Sequence, residues 1–148
     1  MKKVCLSITV LILLTGIGFG KDNYVAKVDE EIYGTWTNPK MQMQKNVSYM
    51  GGSKDFFLAD GTEPFTESKA ELANKWTDAD GNVWYQRYGT IIAGAYRGTK
   101  WQSLERISKS GSVREWVSKV VTSFAPENYP QAIDPKDRNY QIYYKAEN

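Results

Sequence analysis

Residues 74–88 place a turn signal between two runs rich in aromatic and β-branched residues, NKWTDADGNVWYQRY. The dipeptide Asp80-Gly81 can supply the positive φ angles that a two-residue hairpin loop requires. Closing the chain there sets Trp76 opposite Tyr85. We therefore predict a β-hairpin, and aromatic side chains occupy both of its faces.

Similar turn signals divide the rest of the chain into short segments. They are Asn38-Pro39, Gly51-Gly52, Asp60-Gly61, Gly98 and Ser110-Gly111. Short strands separated by regular turns are typical of antiparallel meanders, which form sandwiches or barrels. The predicted fold class is therefore all-β.

A second hairpin is predicted within residues 101–120. Its pairing sets Arg106 opposite Glu115, an ion pair. The same pairing sets Leu104 opposite Val117, an apolar pair on the same face. The register is therefore self-consistent.

Residues 113–124 also carry a helix signal. Apolar side chains recur there at spacings of three and four residues, and Ser112 with Glu115 matches a capping box. Four valines around Trp116 favour a strand, because β-branched and aromatic side chains pack well in sheets. We predict a strand.

Three prolines interrupt residues 125–137, so this segment is predicted to be a long surface connection. Residues 138–146 then alternate between two faces, with Tyr143 on one and Tyr144 on the other. That alternation predicts a final strand.

The first twenty residues have the pattern of a secretory signal peptide. Lys2 and Lys3 precede an apolar run, Val4–Phe19, that ends in small residues at Gly20. The run is shorter than the roughly 20 residues of a membrane-spanning helix. We expect cleavage near Gly20, which leaves residues 21–148 as one domain with no membrane span, secreted or in a bacterial periplasm.

Charge and composition exclude several classes of function. Lys2 and Lys3 account for the whole excess of 19 basic over 17 acidic residues, so the chain that follows is neutral and a poor match for nucleic-acid binding. The chain has no histidine, and its one cysteine, Cys5, lies in the signal segment. Histidine-based catalysis, disulfides and His- or Cys-ligated metal sites are therefore excluded. We expect neither an enzyme nor a cofactor.

Carboxylates are the remaining catalytic groups, and they are densest in Asp78-Ala79-Asp80-Gly81-Asn82. A hairpin turn selects these residue types, and their spacing does not match a calcium-binding EF-hand loop. No pair of carboxylates can be placed across a cleft from the sequence. A carboxylate-based hydrolase is kept as a third alternative for the function.

Aromatic residues are the main excess in the composition, with five Trp, ten Tyr and five Phe. They can pack a solid core or line a ligand pocket, and the residues alone leave both open. If a pocket exists, the hairpins offer its ligand-binding residues: Trp76, Tyr85, Arg87, Trp101 and Trp116. Arg87 would orient an anionic or hydrogen-bonding end of the ligand, unless its alkyl stem only covers the barrel wall.

The segment EIYGTWTN, residues 31–38, resembles the Gly-x-Trp opening strand of lipocalins and the wider calycin barrels through Gly34 and Trp36. The order of the later segments, up to residues 140–145, is similar to that of small bacterial lipocalin-like domains. Residues 34–38 also look like the opening of avidin-type barrels, but no later match to that family's tryptophan strands follows.

The lipocalin resemblance implies an eight-stranded up-and-down barrel in which Trp36 plugs one end. In that family an arginine from the last strand packs over the Trp. Here the last strand offers Arg138 and Lys145.

We expect an exported binding protein that holds a small apolar or amphipathic ligand in the barrel. The alternative is a barrel with a solid core that contacts a protein or glycan through its loops, at residues 94–100 and 125–137. In that case Tyr96 or Tyr129 would lie in an exposed apolar patch.

Overall fold

The computed structural model describes residues 30–47, 53–57 and 64–147. Eight antiparallel strands form a closed barrel in which each strand pairs with the next and the last pairs with the first. The strands are β1 Gly34–Asn38, β2 Met43–Val47, β3 Ser53–Phe57, β4 Thr66–Thr77, β5 Val83–Gly94, β6 Lys100–Ile107, β7 Val113–Val121 and β8 Tyr140–Lys145. The predicted all-β, up-and-down barrel is confirmed. The predicted signal segment, residues 1–20, and the turn signals at 51–52 and 60–61 lie outside the described residues.

Successive strands run in opposite directions, so the connections between them alternate between the two ends of the barrel. The end that we call the closed end carries the 3-10 helix Glu30–Ile32 and the connections 78–82 and 108–112. The other, the open end, carries the connections 39–42 and 95–99 and the start of the long connection after β7.

Trp36 seals the closed end. Its side chain is fully buried next to the equally buried Ile32, and its indole Nε1 donates a hydrogen bond to the Ile32 carbonyl oxygen over 2.9 Å. The Lys145 Nζ lies 5.5 Å from the centre of the Trp36 ring, and the Arg114 Cζ lies 5.9 Å from it. Two strands, β7 and β8, therefore supply cations over this Trp.

The first predicted hairpin forms, but its predicted register is wrong. Trp76 pairs with Trp84, and Tyr85 pairs with Lys75. The loop has three residues instead of two, because the Asp78 amide bonds to the Asn82 carbonyl over 3.0 Å and Gly81 takes a φ of 86°. A shift of one residue turns a side chain to the opposite face of a strand.

The carboxylate of Asp78 organises this loop. It accepts hydrogen bonds from the amides of Asp80 (3.0 Å) and Asn82 (2.9 Å) and from the Trp84 Nε1 (2.8 Å). These donors lie within hydrogen-bonding distance of the carboxylate because three loop residues, 79–81, separate Asp78 from Asn82. The carboxylate therefore fixes both the loop length and the outward position of Trp84.

The second predicted hairpin is confirmed in its register. Arg106 pairs with Glu115 and Leu104 pairs with Val117. Residues 113–121 are a strand, as predicted, because β7 pairs along one edge with β6 and along the other with β8. Neither edge could pair if these residues were helical.

The long connection of residues 125–137 packs on the outer wall of the barrel. The Gln102 amide group donates to the Ala125 carbonyl (2.8 Å) and accepts from the Ala125 amide (2.9 Å). Tyr129 and Pro130 are buried, as are Leu104 and Val117 on the wall. The predicted surface connection therefore also completes the packing of the outer face of β6 and β7.

Gly89 on β5 allows the ring of Trp101 to pack against the barrel wall. A Cβ atom at Gly89 would lie 2.5 Å from the Lys69 carbonyl oxygen and 2.6 Å from the Trp101 ring. We expect Gly89→Ala to lower the free energy of unfolding by about 1–3 kcal/mol, a typical cost of overpacking. Urea unfolding measures this loss. The control Thr90→Ala, on the other face of β5, should cost less, and an equal loss in both variants would contradict the packing described.

The ionised form of Asp78 stabilises the first hairpin. Hydrogen bonds from the Trp84 indole, the Asn82 side chain and the nearby amides lower the pKa of Asp78 to about 2, from an ordinary value of 3.8. Because the pKa in the folded state is below that of the unfolded chain, this stabilisation is present above pH 4 and is lost as the pH falls through about 2.

We therefore expect Asp78→Asn to reduce the steepness with which stability falls between pH 4 and pH 2. Urea midpoints measured across that range for both proteins test this. Parallel curves for the two proteins would show that Asp78 does not have a lowered pKa.

Candidate functional site

The lower half of the barrel interior, towards the closed end, holds a buried charged triad. The Glu105 carboxylate lies 2.6 Å from the Arg114 Nη2 and 3.6 Å from the Arg87 Nη1. All three side chains are almost fully buried, and the Ser103 hydroxyl donates to Glu105 over 2.9 Å. Burial raises the pKa of Glu105, but the guanidinium groups of Arg114 and Arg87 outweigh it, so the pKa lies below its ordinary value. Glu105 is therefore a carboxylate, ion-paired on both sides.

A buried aromatic side chain, Tyr85, pairs across the strands with Glu105 of this triad. Tyr85 is fully buried, and its hydroxyl donates to the Glu31 carboxylate over 2.9 Å. Lys75 pairs with the same carboxylate over 3.1 Å. Tyr85 and Arg87, two of the predicted ligand-binding residues, therefore lie buried in the lower half of the barrel.

A second buried ion pair lies across the interior. The Lys45 Nζ is 2.6 Å from the Asp55 carboxylate, which also accepts a hydrogen bond from the Thr66 hydroxyl over 3.0 Å. Burial lowers the pKa of Lys45, and the charge of Asp55 offsets part of that change. The Lys45 Nζ also lies 4.5 Å from the centre of the Trp116 ring.

Three inward-facing aromatic rings lie next to the triad on β6, β7 and β8, and two of them pair with triad residues, Trp116 with Glu105 and Tyr143 with Arg114. Trp101 and Trp116 meet edge to face with ring centres 5.7 Å apart, and Trp116 lies 6.3 Å from Tyr143. The Tyr143 hydroxyl donates to the Gln141 side chain over 2.5 Å. The predicted pocket residues Trp101 and Trp116 are therefore brought together.

Inward-facing side chains are exposed at the open end of the barrel. Alternation along the strands directs Phe57 and Val120 inward, yet their exposed fractions are 44% and 78%. Ser118 and Gln141, also inward, are half-buried. We call the six inward-facing residues nearest this end the upper cup: Phe57, Trp101, Trp116, Ser118, Val120 and Gln141.

Two buried side-chain donors near the upper cup have no hydrogen-bond partner in the described part of the chain and could bind an anion. The Arg114 Nη1 and the Trp116 Nε1 are buried and have no hydrogen-bond partner among the described residues. When all are ionised, the interior pairs contain three cations and two carboxylates, which leaves one positive charge in excess. We call the neighbourhood of these two donors the floor of the upper cup, because the Arg114 Cζ lies 5.7 Å from the centre of the Trp116 ring. An anionic group there would offer an acceptor to these donors and reduce the excess charge.

Trp76, the fifth predicted ligand-binding residue, lies apart from the other four on the outer wall. Its ring stacks on that of Trp84 with centres 5.9 Å apart, and the Arg106 Cζ lies 5.2 Å from the Trp84 ring. Arg106 in turn pairs with Glu115. These contacts form a row across β4, β5, β6 and β7 on the outer face of the barrel. Trp76 is the first member of that row.

Two adjoining grooves run along the same outer wall, beneath the long connection. One, of about 400 Å³, is lined by Trp76, Asp78, Trp84, Gln86, Leu104, Pro130 and Gln131. The other, of about 360 Å³, is lined by Ala73, Gln86, Tyr88, Gln102, Phe124, Ala125, Pro126 and Tyr129. Asp78 in the first groove already accepts hydrogen bonds from its own loop.

The residue pairing of the second hairpin, unlike the overall amino-acid composition, contained information about which charged residues face the interior. The predicted register placed Arg106 and Glu115 on one face of the second hairpin, so Glu105 and Trp116 had to lie on the other. That face is the interior. Lys45 and Asp55 had no such signal, because the segments that contain them show no clear alternation of polar and apolar residues.

Within the described residues, no group of three His, Cys, Asp or Glu side chains is placed to hold a metal ion. No helix in the same residues is long and apolar enough to cross a membrane.

The buried triad carries a stability prediction. Removing the charge of Glu105 leaves two arginines buried without a counter-ion, so Glu105→Gln should lower the free energy of unfolding by about 3–5 kcal/mol. Glu67→Gln is the matched control, because Glu67 forms an exposed pair with Lys54 over 3.8 Å. That control should cost about 0–1 kcal/mol. Urea unfolding at pH 7 measures both, and similar small losses would contradict the role of the triad.

Comparison of the chain with protein-family models, with curated protein sequences and with solved structures finds no match.

Proposed function

We propose that this chain is an exported, non-enzymatic protein that binds a small amphipathic ligand with an anionic head in the upper cup. The observation that carries the proposal is the division of the interior. Inward side chains are exposed at one end, above a floor that holds two unpaired donors and an excess positive charge. This combination of apolar wall and few convergent polar groups is typical of small-molecule sites.

The two parts of the ligand would meet different surroundings. The anionic head would lie at the floor, near the Trp116 Nε1 and the Lys45 ammonium group. The apolar part would extend upward along Trp101 and Val120 towards the open end, because these side chains lose exposed apolar surface when covered. The charged triad below would stop the ligand from entering the lower half.

The chemistry of the interior supports binding rather than catalysis. A general acid or base needs a pKa near the working pH, whereas the two arginines hold the pKa of Glu105 below its ordinary value. The Asp55 carboxylate is paired with Lys45. Both interior carboxylates therefore act as counter-ions.

Export and a lipocalin-like identity belong to the same proposal. The signal-peptide pattern of residues 1–20 supports export from a bacterial cell. The closed eight-stranded barrel, the opening Gly34 and the buried Trp36 support the resemblance to lipocalin-like domains, which suggests a ligand carrier.

The alternative function, contact with a partner through the loops, receives support at one loop only. Tyr96 in the 95–99 connection is 74% exposed, whereas Tyr129 is buried against the outer wall. Of the two tyrosines expected for this alternative, only Tyr96 is exposed, because two hydrogen bonds between Gln102 and Ala125 hold the segment of Tyr129 against the barrel.

Titration with dodecanoate, followed by quenching of tryptophan fluorescence, tests the proposal. We expect saturable one-to-one binding, and binding of the uncharged dodecanol about tenfold weaker, because hydrogen bonds to a charged head are worth about 1.5–3 kcal/mol. The expected quenching should persist in Trp76→Phe, which removes a tryptophan outside the cup.

A pair of variants locates the ligand. Val120→Asp puts a charge on the inner wall of the cup and should weaken dodecanoate binding by about tenfold, the value of burying one such side chain. Ile92→Asp, on the outer face at the same end, should leave the affinity unchanged. Absence of saturable binding by the folded protein, or equal effects of the two variants, would contradict the proposal.

A further inference from the structure

Exposed apolar side chains concentrate at the open end of the barrel. Among the described residues, eight large hydrophobic side chains are exposed. Two of them, Trp76 and Tyr144, lie nearer the closed end. The other six lie around the open end: Met41, Phe57, Ile92, Tyr96, Val120 and Phe124. We call these six residues the apolar rim.

The segments that carry most of this rim are also basic. Residues 39–42, 90–100 and 118–124 contain four cations and no Asp or Glu. The cations are Lys40, Arg97, Lys100 and Lys119. The segments of the closed end, residues 31–33, 78–82 and 108–112, contain three acidic residues and one lysine. These rim segments are therefore net positive, and these closed-end segments are net negative.

Glu127, three residues after Phe124, is exposed in the long connection, whereas two acidic groups of β4 near the rim have partners. Glu71 accepts a hydrogen bond from the Tyr88 hydroxyl over 2.6 Å. Glu67 lies 3.8 Å from the Lys54 Nζ. Residues 58–63, which carry Asp60 and Glu63, lie outside the described residues and are not included in this balance.

The 95–99 connection holds an aromatic ring and a cation away from the barrel. Tyr96 takes a φ of 62°, and its carbonyl accepts a hydrogen bond from the Thr99 amide over 3.0 Å. Arg97 beside it is exposed. A strained tyrosine at the tip of a hairpin makes little contribution to the core, so its exposure needs another explanation.

We propose that the open end docks on the surface of an anionic phospholipid bilayer. The cations of the rim segments would contact lipid phosphates, while Tyr96 and its apolar neighbours would enter the headgroup layer. Tyrosine, lysine and arginine on one face are typical of surfaces that meet a membrane interface. Because the described rim segments contain four cations and no acidic residue, their positive charge complements an anionic lipid surface.

This docking goes beyond the proposed ligand binding and does not require it. It would place the mouth of the upper cup against the layer in which amphipathic molecules dissolve. A ligand could then pass between the bilayer and the cup without crossing water.

Vesicle flotation tests the docking, with protein purified from cells that express the full-length chain. One set of vesicles contains phosphatidylcholine alone, and the other contains phosphatidylcholine mixed with phosphatidylglycerol. We expect flotation with the mixed vesicles only, and weaker flotation at high salt because salt screens the charges. No flotation, or equal flotation with both vesicles, would overturn the proposal.

Charge reversal at each end separates a specific contact from a general charge effect. Arg97→Glu should weaken partitioning by at least about fivefold, since each basic residue near such a surface is worth about 1 kcal/mol. Lys109→Glu, the same change at the closed end, should weaken partitioning by less than half of the factor found for Arg97→Glu. Equal effects of the two reversals would overturn the proposal.

A third variant tests the aromatic contact. Tyr96→Asn removes the ring but tolerates a positive φ, and it should also weaken flotation. Circular dichroism and dodecanoate titration of each variant show whether the fold and the upper cup are intact. Loss of flotation with an unchanged affinity for dodecanoate supports docking. If Tyr96→Asn floats as well as the unaltered protein, the aromatic contact and the docking mode are both overturned.

Discussion

The barrel depends on a carboxylate that it cannot leave unpaired. Glu105 on β6 lies between Arg87 on β5 and Arg114 on β7, fully buried. Moving such charges from water is costly, and only close pairing offsets the cost. Three neighbouring strands must therefore keep their register for the carboxylate to be satisfied. The Lys45–Asp55 pair imposes the same requirement on β2 and β3.

This requirement divides the interior into two halves with different roles. The lower half is occupied by the triad, Tyr85 and Trp36. The upper half contains the inward residues of the upper cup, of which Phe57 and Val120 are exposed and Trp101 is buried. Because the triad brings one more cation than the carboxylates neutralise, the boundary between the halves is positive. The proposed ligand binding rests on the exposed inward side chains above this positive boundary.

Much of the architecture could be predicted from the sequence, and the errors have physical causes. The second hairpin was placed correctly because an ion pair and an apolar pair agreed on one register. The first was shifted by one residue because Asp78 binds its own loop through side-chain hydrogen bonds, which a two-residue turn does not allow. That shift moved Trp76 to the outer wall and separated it from Tyr85 and Arg87. The charged interior was missed for a different reason, since alternation separates two faces but aromatic residues on both leave the inner face unidentified.

A crystal structure grown with dodecanoate would test the central claim most directly. We predict density for the ligand in the upper cup, with its carboxylate within hydrogen-bonding distance of the Trp116 Nε1 and its chain passing Trp101 and Val120. The Glu105 triad should be unchanged beneath it. Ligand density in the outer groove beside Trp76, or in the lower half with the triad displaced, would contradict the account.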